Sequence, residues 1–192
     1  EFQFRLPQGV LVINDTPLVV DSLNYRILRF DPVDLWAEES ASAISPPARA
    51  VIGQGGLISN SDPRSNNGKP EPVLNGFSIP VHAAFADGET FVADSGNNRV
   101  LVFGDLSSGP VAGGYDARRV LGQIGFDLGS PNLLEGREFW FASTIFSGAG
   151  MAIDSRANPP HLYVADPMNN RVLGFRDARR VRPGRSEERR VG

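Results

Sequence analysis

The chain has 192 residues, 41% apolar and 21% charged, with 21 glycines, 15 prolines, two histidines and no cysteine. That composition suits an all-β domain rich in turns, and it excludes a disulfide framework, a thiolate zinc site and a cysteine nucleophile, while two histidines nearly exclude a multi-histidine metal centre. The net charge of -3 is uneven: residues 177–192 carry six arginines against Asp177, Glu187 and Glu188, which leaves 13 basic and 19 acidic residues ahead of them. An acidic body lacks the usual electrostatic drive toward nucleic acid, so no nucleic-acid partner is expected. No run approaches the 18 apolar residues of a membrane span, so none is expected either. The chain opens at Glu1 without a methionine or leader and reads as a piece of something longer.

In chain order, three segments repeat. Leu6-Pro7 leads through LVINDTPLVVDSLNYRILRF to Phe30, Ile79-Pro80 through VHAAFADGETFVADSGNNRVLVF to Phe103, and Gly150 through MAIDSRANPPHLYVADPMNNRVLGF to Phe175. Each holds the kernel D-x-x-N-x-R: Asp21, Asn24 and Arg26, then Asp94, Asn97 and Arg99, then Asp166, Asn169 and Arg171. The aspartates are 73 and 72 residues apart, a period that signals duplication. A second landmark, Ala48 to Gln54 (ARAVIGQ), returns as Ala117 to Gln123 (ARRVLGQ).

Each unit offers four short strands bounded by Asn, Asp, Gly and Pro. The first strands are expected over Val10–Ile13, Ala83–Ala86 and Gly150–Ile153, and the second over Leu18–Val20, Thr90–Ala93 and Leu162–Ala165. The third are expected over Ile27–Phe30, Val100–Phe103 and Val172–Phe175, and the fourth over Ala50–Gly53 and Val120–Gly122. Four per unit is the strand count of a propeller blade. The repeats are placed at about 6–54, 79–123 and 148–181 within a domain spanning 1–183.

The segments VVDSLNYRILRF, FVADSGNNRVLVF and YVADPMNNRVLGF resemble NHL repeats, the units of six-bladed NHL β-propellers, and the Val-Leu-Gly-Gln element resembles a bacterial, long-repeat subset. The resemblance implies a β-propeller fragment of about three blades, completed by remaining blades of a full-length chain. It also implies an extracellular or periplasmic setting, and a non-catalytic scaffold that binds a protein or carbohydrate ligand. Some six-bladed propellers are instead lyases or lactonases with a channel metal; that alternative would place most ligands outside this fragment. Three blades alone leave two open ends, so the isolated chain is expected to aggregate or dimerise. His82 replaces Gly9 of the first unit, and Ser147 to Gly150 replace the proline lead-in of the third. After Phe175, Asp177 to Val181 echoes the fourth-strand phrase Asp116 to Val120; the tail from 184 onward is expected to be non-native or disordered.

For the kernel, the structural expectation is a turn in which the Asp carboxylate accepts N–H groups two residues on, Asn adopts the left-handed conformation, and Arg faces Asp across the hairpin. The functional alternative makes Arg26, Arg99 and Arg171 an arc of donors for an anionic ligand. Strand parity puts the kernel turns and the long loops 55–78 and 124–147 at one end, where ligand contacts are expected. Loop 55–78 is polar, with Asn60, Asp62, Arg64, Asn66, Asn67, Lys69 and Glu71, while 124–147 supplies Phe126, Phe139, Trp140, Phe141 and Phe146. The candidate binding face is Arg64, Lys69 and Phe139-Trp140-Phe141, the triplet serving either as packing over a neighbouring sheet or as an exposed patch. No catalytic residue, cofactor or metal site is assigned. His82 and His161 are expected at opposite ends, Ser42, Ser61 and Ser143 lack a nucleophile context, and Asn14, Asp15, Asp87 and Asp154 are read as first-to-second-strand turns.

Overall fold

Two kinds of turn break the chain into strands. Asn14-Asp15, with φ of 47° and 64°, and Asp87-Gly88, with φ of 50° and 74°, place both central residues of a two-residue hairpin in the left-handed region, the arrangement that matches strand twist. At each kernel, Ser22–Asn24, Ser95–Asn97 and Pro167–Asn169 make one turn of 3-10 helix. The computed structural model describes residues 3–42, 44–55, 64–132, 138–141 and 148–181, and the backbone of 188–191.

These turns yield three four-stranded antiparallel sheets, each with its strands in sequence order. Sheet 1 is β1 (Pro7–Ile13), β2 (Thr16–Asp21), β3 (Arg26–Arg29) and β4 (Ala50–Ile52). Sheet 2 is β5 (Pro80–Ala86), β6 (Glu89–Asp94), β7 (Arg99–Phe103) and β8 (Arg119–Leu121). Sheet 3 is β9 (Met151–Asp154), β10 (His161–Asp166), β11 (Arg171–Phe175) and β12 (Glu188–Val191). The kernels occupy equivalent positions, each Asp opposite its Arg: Asp21 and Arg26, Asp94 and Arg99, Asp166 and Arg171.

Register fixes two faces on each sheet. In sheet 2 the row Ala83, Val92, Leu101 and Val120 shares a core with Leu18, Val20, Ile27 and Ile52 of sheet 1. The opposite row, including Phe91, Ala93, Val100 and Val102, shares a core with Met151, Val164, Leu173 and Phe175 of sheet 3. We call these the front and back faces. Both faces of sheet 2 are therefore covered, which is why FVAD and RVLVF read as near-continuous apolar runs and not as alternation. The first strands lie side by side, β1 against β5 and β5 against β9. Phe30, Phe103 and Phe175 are buried on the front side of their respective sheets.

The expected fourth-strand phrase of the third unit folds differently. Asp177 caps a single 3-10 turn, Ala178–Arg180, by accepting the Arg179 N–H, and the Ala178 and Val181 carbonyls accept Arg119 Nη1 at 3.2 and 2.9 Å. Those carbonyls serve a contact between sheets and not a strand ladder. The fourth position belongs to β12, whose backbone pairs with β11 from Val172 opposite Val191 to Phe175 opposite Glu188.

Arg29 makes the corresponding contact between sheets 1 and 2. From β3 it donates to the Leu106 and Gly109 carbonyls and the Tyr115 hydroxyl, all in the β7–β8 connection. At both junctions an arginine from one sheet thus binds carbonyls that follow the third strand of the next.

Candidate functional site

The kernel carboxylates make one pattern three times. Asp94 Oδ2 accepts Arg99 Nε at 2.7 Å and Asn97 Nδ2 at 2.8 Å, while Oδ1 accepts the Ser78 N–H at 2.6 Å. Asp21 does the same with Arg26, Asn24 and the Arg5 N–H, and Asp166 with Arg171, Asn169 and the Trp140 N–H. The carboxylate therefore captures the chain leading into its sheet, not an N–H two residues on as the sequence suggested. That N–H, of Leu23, Gly96 or Met168, goes instead to the carbonyl of Arg5, Ser78 or Trp140. The left-handed residue is also displaced by one: it is Tyr25, Asn98 and Asn170, because the kernel Asn closes the 3-10 turn and needs its side chain for the Asp.

Each guanidinium completes the joint through Nη2, which donates to the Gln3, Gly76 or Glu138 carbonyl, two residues before the captured N–H. Arg99 also reaches the Val73 and Phe126 carbonyls. Asp94 and Arg99 are wholly buried, as are Asp21 and Asp166; Arg26 is buried and Arg171 nearly so. Burial pushes the Asp94 carboxyl above its ordinary range, opposed by the charge of Arg99 and by the hydrogen bonds from Asn97, Arg99 and Ser78. Side chains so enclosed and engaged cannot form a rim of donors for a dissolved anion.

Between the captured N–H and the accepting carbonyl stands a phenylalanine in every unit: Phe4, Phe77 and Phe139. Phe77 covers Gly53 and Phe139 covers Gly122; a Cβ on either glycine would sit 2.3 or 2.1 Å from a ring carbon, and both glycines have positive φ, 95° and 80°. This gives the Val-Ile-Gly-Gln and Val-Leu-Gly-Gln elements a physical meaning. Gly seats the aromatic that leads into the next sheet, and the Gln side chain donates to a kernel-turn carbonyl, Asn24 for Gln54 and Asn98 for Gln123. The phenylalanine was findable at 17 residues before Asp21 and Asp94, but 27 before Asp166, so a fixed period hides it.

The long loops do lie at the kernel end. Asn66, with φ of 54°, pairs its side chain with Asn97, and Asn132, with φ of 50°, pairs with Asn169, so each loop carries a left-handed Asn bound to the next kernel. Asn98 Nδ2 binds the Gly129 carbonyl and its Oδ1 accepts the Phe141 N–H. Arg64 and Lys69 flank the Asn66 turn and are exposed. The aromatic triplet divides: Phe139 and Phe141 are stacked core residues at 4.8 Å between ring centres, and Trp140 alone faces solvent. The two phenylalanines therefore leave the candidate face. Loop positions 56–63 (with Asn60, Ser61 and Asp62), 133–137 and 142–147 (with Ser143 and Phe146), and 182–187 of the tail, lie outside the described residues.

The histidines sit at opposite ends, His82 opposite Ala93 near the kernel and His161 opposite Asp154 at the far hairpin. His82 is half-buried, its Nδ1 has no partner, and burial lowers its pKa. Among the described residues, no three His, Asp or Glu side chains gather in a way that could hold a metal ion. No family model matches the chain, and no curated protein matches it. Among the described residues no helix is long and apolar enough to cross a membrane.

Proposed function

We propose that the chain is part of an NHL-type β-propeller acting as a non-catalytic binding scaffold, with its ligand held on the kernel end. The observation that carries this reading is the three-fold joint: the polar residues that look most like chemistry, three Asp–Asn–Arg sets, are engaged in fastening each sheet to the segment that leads into it. The side-by-side first strands and sequence-ordered meanders support a radial arrangement of blades. What remains for recognition is the loop surface that this scaffold holds in place, with Trp140, Arg64 and Lys69 exposed on it. An aromatic and two cations of that kind suit an acidic peptide or an anionic carbohydrate.

The test is a binding screen of the protein against soluble anionic glycans and acidic peptides, followed by titration of any hit against Trp140→Ala/Arg64→Ala/Lys69→Ala. The triple variant should lose affinity at least tenfold with an unchanged melting temperature. Unaltered binding by that variant, or metal-dependent turnover of a lactone or uronate polymer by the parent protein, would overturn the reading.

A further inference from the structure

The joint fixes a backbone three times and leaves its side chain free to differ. Arg5, Ser78 and Trp140 are the residues whose N–H groups the kernel carboxylates capture, and their carbonyls accept the N–H groups of Leu23, Gly96 and Met168 at 3.0, 2.6 and 3.2 Å. Each is held on both sides of its Cα, and only main-chain atoms are used. The residue before it is a phenylalanine in every unit, yet here the units carry a guanidinium, a hydroxyl and an indole. Sheet 2 has a neighbouring sheet on either side, and Ser78 and Gly96 are still partly exposed there, so the position stays open within a packed row of sheets. Gly96 keeps that middle joint small: a Cβ on it would stand 2.5 Å from both the carbonyl and the hydroxyl oxygen of Ser78.

A rigid frame that repeats while one accessible side chain changes is how a scaffold reads a ligand. We propose that Arg5, Ser78 and Trp140 form the specificity-determining row of the kernel end, and that the row reads an anionic polysaccharide, a polymer of uronic acids. The exposed Trp140 indole, with Met168 bonded to its carbonyl, offers an apolar platform to the C–H face of a sugar ring. The Arg5 guanidinium matches a carboxylate through two parallel N–H donors. Between them the Ser78–Gly96 joint presents a hydroxyl and no bulk, so a chain can pass from one sheet to the next. An acidic peptide meets no apolar side chain at that middle joint, whereas a sugar meets a hydroxyl partner, and this favours the glycan. Because each backbone is already fixed, little ordering accompanies binding. The inference rests on the loop-face reading, narrows it to one ligand class, and adds Arg5 and Ser78 to Trp140.

Trp36→Phe leaves Trp140 as the sole tryptophan of the chain, so its fluorescence reports on the row directly. Titration of that variant with oligogalacturonates of graded length should shift the Trp140 emission, with affinity rising from the monomer to oligomers long enough to reach a second joint. In the same background Arg5→Ala and Ser78→Glu should each weaken binding at least tenfold at an unchanged melting temperature, and methyl-esterified oligomers should bind at least tenfold more weakly than the free acids. Should Ser78→Glu fail to fold, Arg5→Ala and the esterified oligomers still decide. Oligogalacturonate binding that Arg5→Ala leaves unaltered, or that calorimetry detects while the Trp140 emission stays silent, overturns the row; if Arg64→Ala/Lys69→Ala abolishes that binding, the loop-face reading survives. Binding of acidic peptides alone overturns the glycan assignment in the same way. Binding of neither class overturns both readings.

Discussion

Asp94 joins the turn, the hairpin and the lead-in segment of sheet 2 through a single buried group, so Asp94→Ala is the sharpest perturbation the fold offers. The substitution leaves the wholly buried Arg99 guanidinium without its counter-ion, frees Asn97 Nδ2 of one acceptor, and leaves the Ser78 N–H without its carboxylate. Deleting one partner of a buried ion pair costs about 3–5 kcal/mol, against a total stability of roughly 5–15 kcal/mol for a domain. For a chain of this size that corresponds to a fall in melting temperature of roughly 6–20 °C. Arg99 keeps its bonds to the Val73, Gly76 and Phe126 carbonyls, which argues against complete unfolding. Asp94→Asn, which preserves shape and an acceptor but not charge, should fall between the variant and the parent. Urea and thermal unfolding at one fixed protein concentration measure all three, with Glu38→Ala, at an exposed position, as the reference. If Asp94→Ala melts within 2 °C of the parent, on the order of the shift given by 1 kcal/mol, the joint is not structural and the assignment of the kernel fails. Arg99→Ala should also destabilise; a stable Arg99→Ala protein that had lost affinity for an anion would restore the rim-donor alternative.

Gly122→Ala drives a methyl into Phe139 and imposes a side chain at φ +80°, whereas Gly88→Ala imposes one at φ +74° with no atom within 4 Å of the new Cβ. Thermal unfolding should show roughly 1 kcal/mol lost at Gly88 and at least 2 kcal/mol more at Gly122, and equal losses would mean that Phe139 does not seat there. His82 has a pKa lowered by burial, so the unfolded chain binds its proton more readily than the folded chain; its contribution to stability is present above about pH 6.5 and is lost as pH falls below that value. His82→Asn should reduce the drop in urea midpoint between pH 7.5 and pH 5, and an unchanged drop would assign the acid sensitivity elsewhere. Arg29→Met removes the donor to Leu106, Gly109 and Tyr115 while keeping its apolar stem, and should cost about 1–3 kcal/mol in urea unfolding; no loss would show that the junction of sheets 1 and 2 is held by its apolar core alone.

The strands were legible because their cause is local. Asp-Gly and Asn-Asp demand a tight hairpin, and the apolar runs before and after each kernel have no other way to be buried; the observed strands differ from the expected ones mainly by extending to include Pro7, Pro80 and the kernel Asp and Arg themselves. The ion pair was legible for the same reason, since five residues separate partners that a hairpin brings opposite. What the sequence concealed is everything made between units. The N–H that Asp94 captures is 16 residues upstream and the one that Asp166 captures is 26, so a reading limited to the turn supplied the wrong donor. For Phe139 the sequence left packing over a neighbouring sheet and an exposed patch both open; the packing reading holds, but the glycine that receives it, Gly122, closes the preceding sheet and could not be named from the loop alone. Arg29 and Arg119 lie on different strands of their sheets, so no period links them, although they bind the same kind of carbonyl at successive junctions.

That division has a consequence for where function can reside. Within one unit, hairpin turns and apolar strands account for the ladder of the sheet, while Asp–Asn–Arg, the Gly-Gln pair and the lead-in phenylalanine make contacts that reach beyond it. These residues recur because each fastens a sheet to the chain that enters it or to the loop that leaves it. The loops 64–78 and 124–132 are consequently tied at several points, by Asn66, Gly76, Phe126 and Gly129, to a buried charge network. A loop held in that way presents Arg64 and Lys69 at fixed places and gives up less conformational freedom on binding than an untethered one. If the loop face binds a ligand as proposed, the polar kernel contributes to affinity through the rigidity of the loops it anchors.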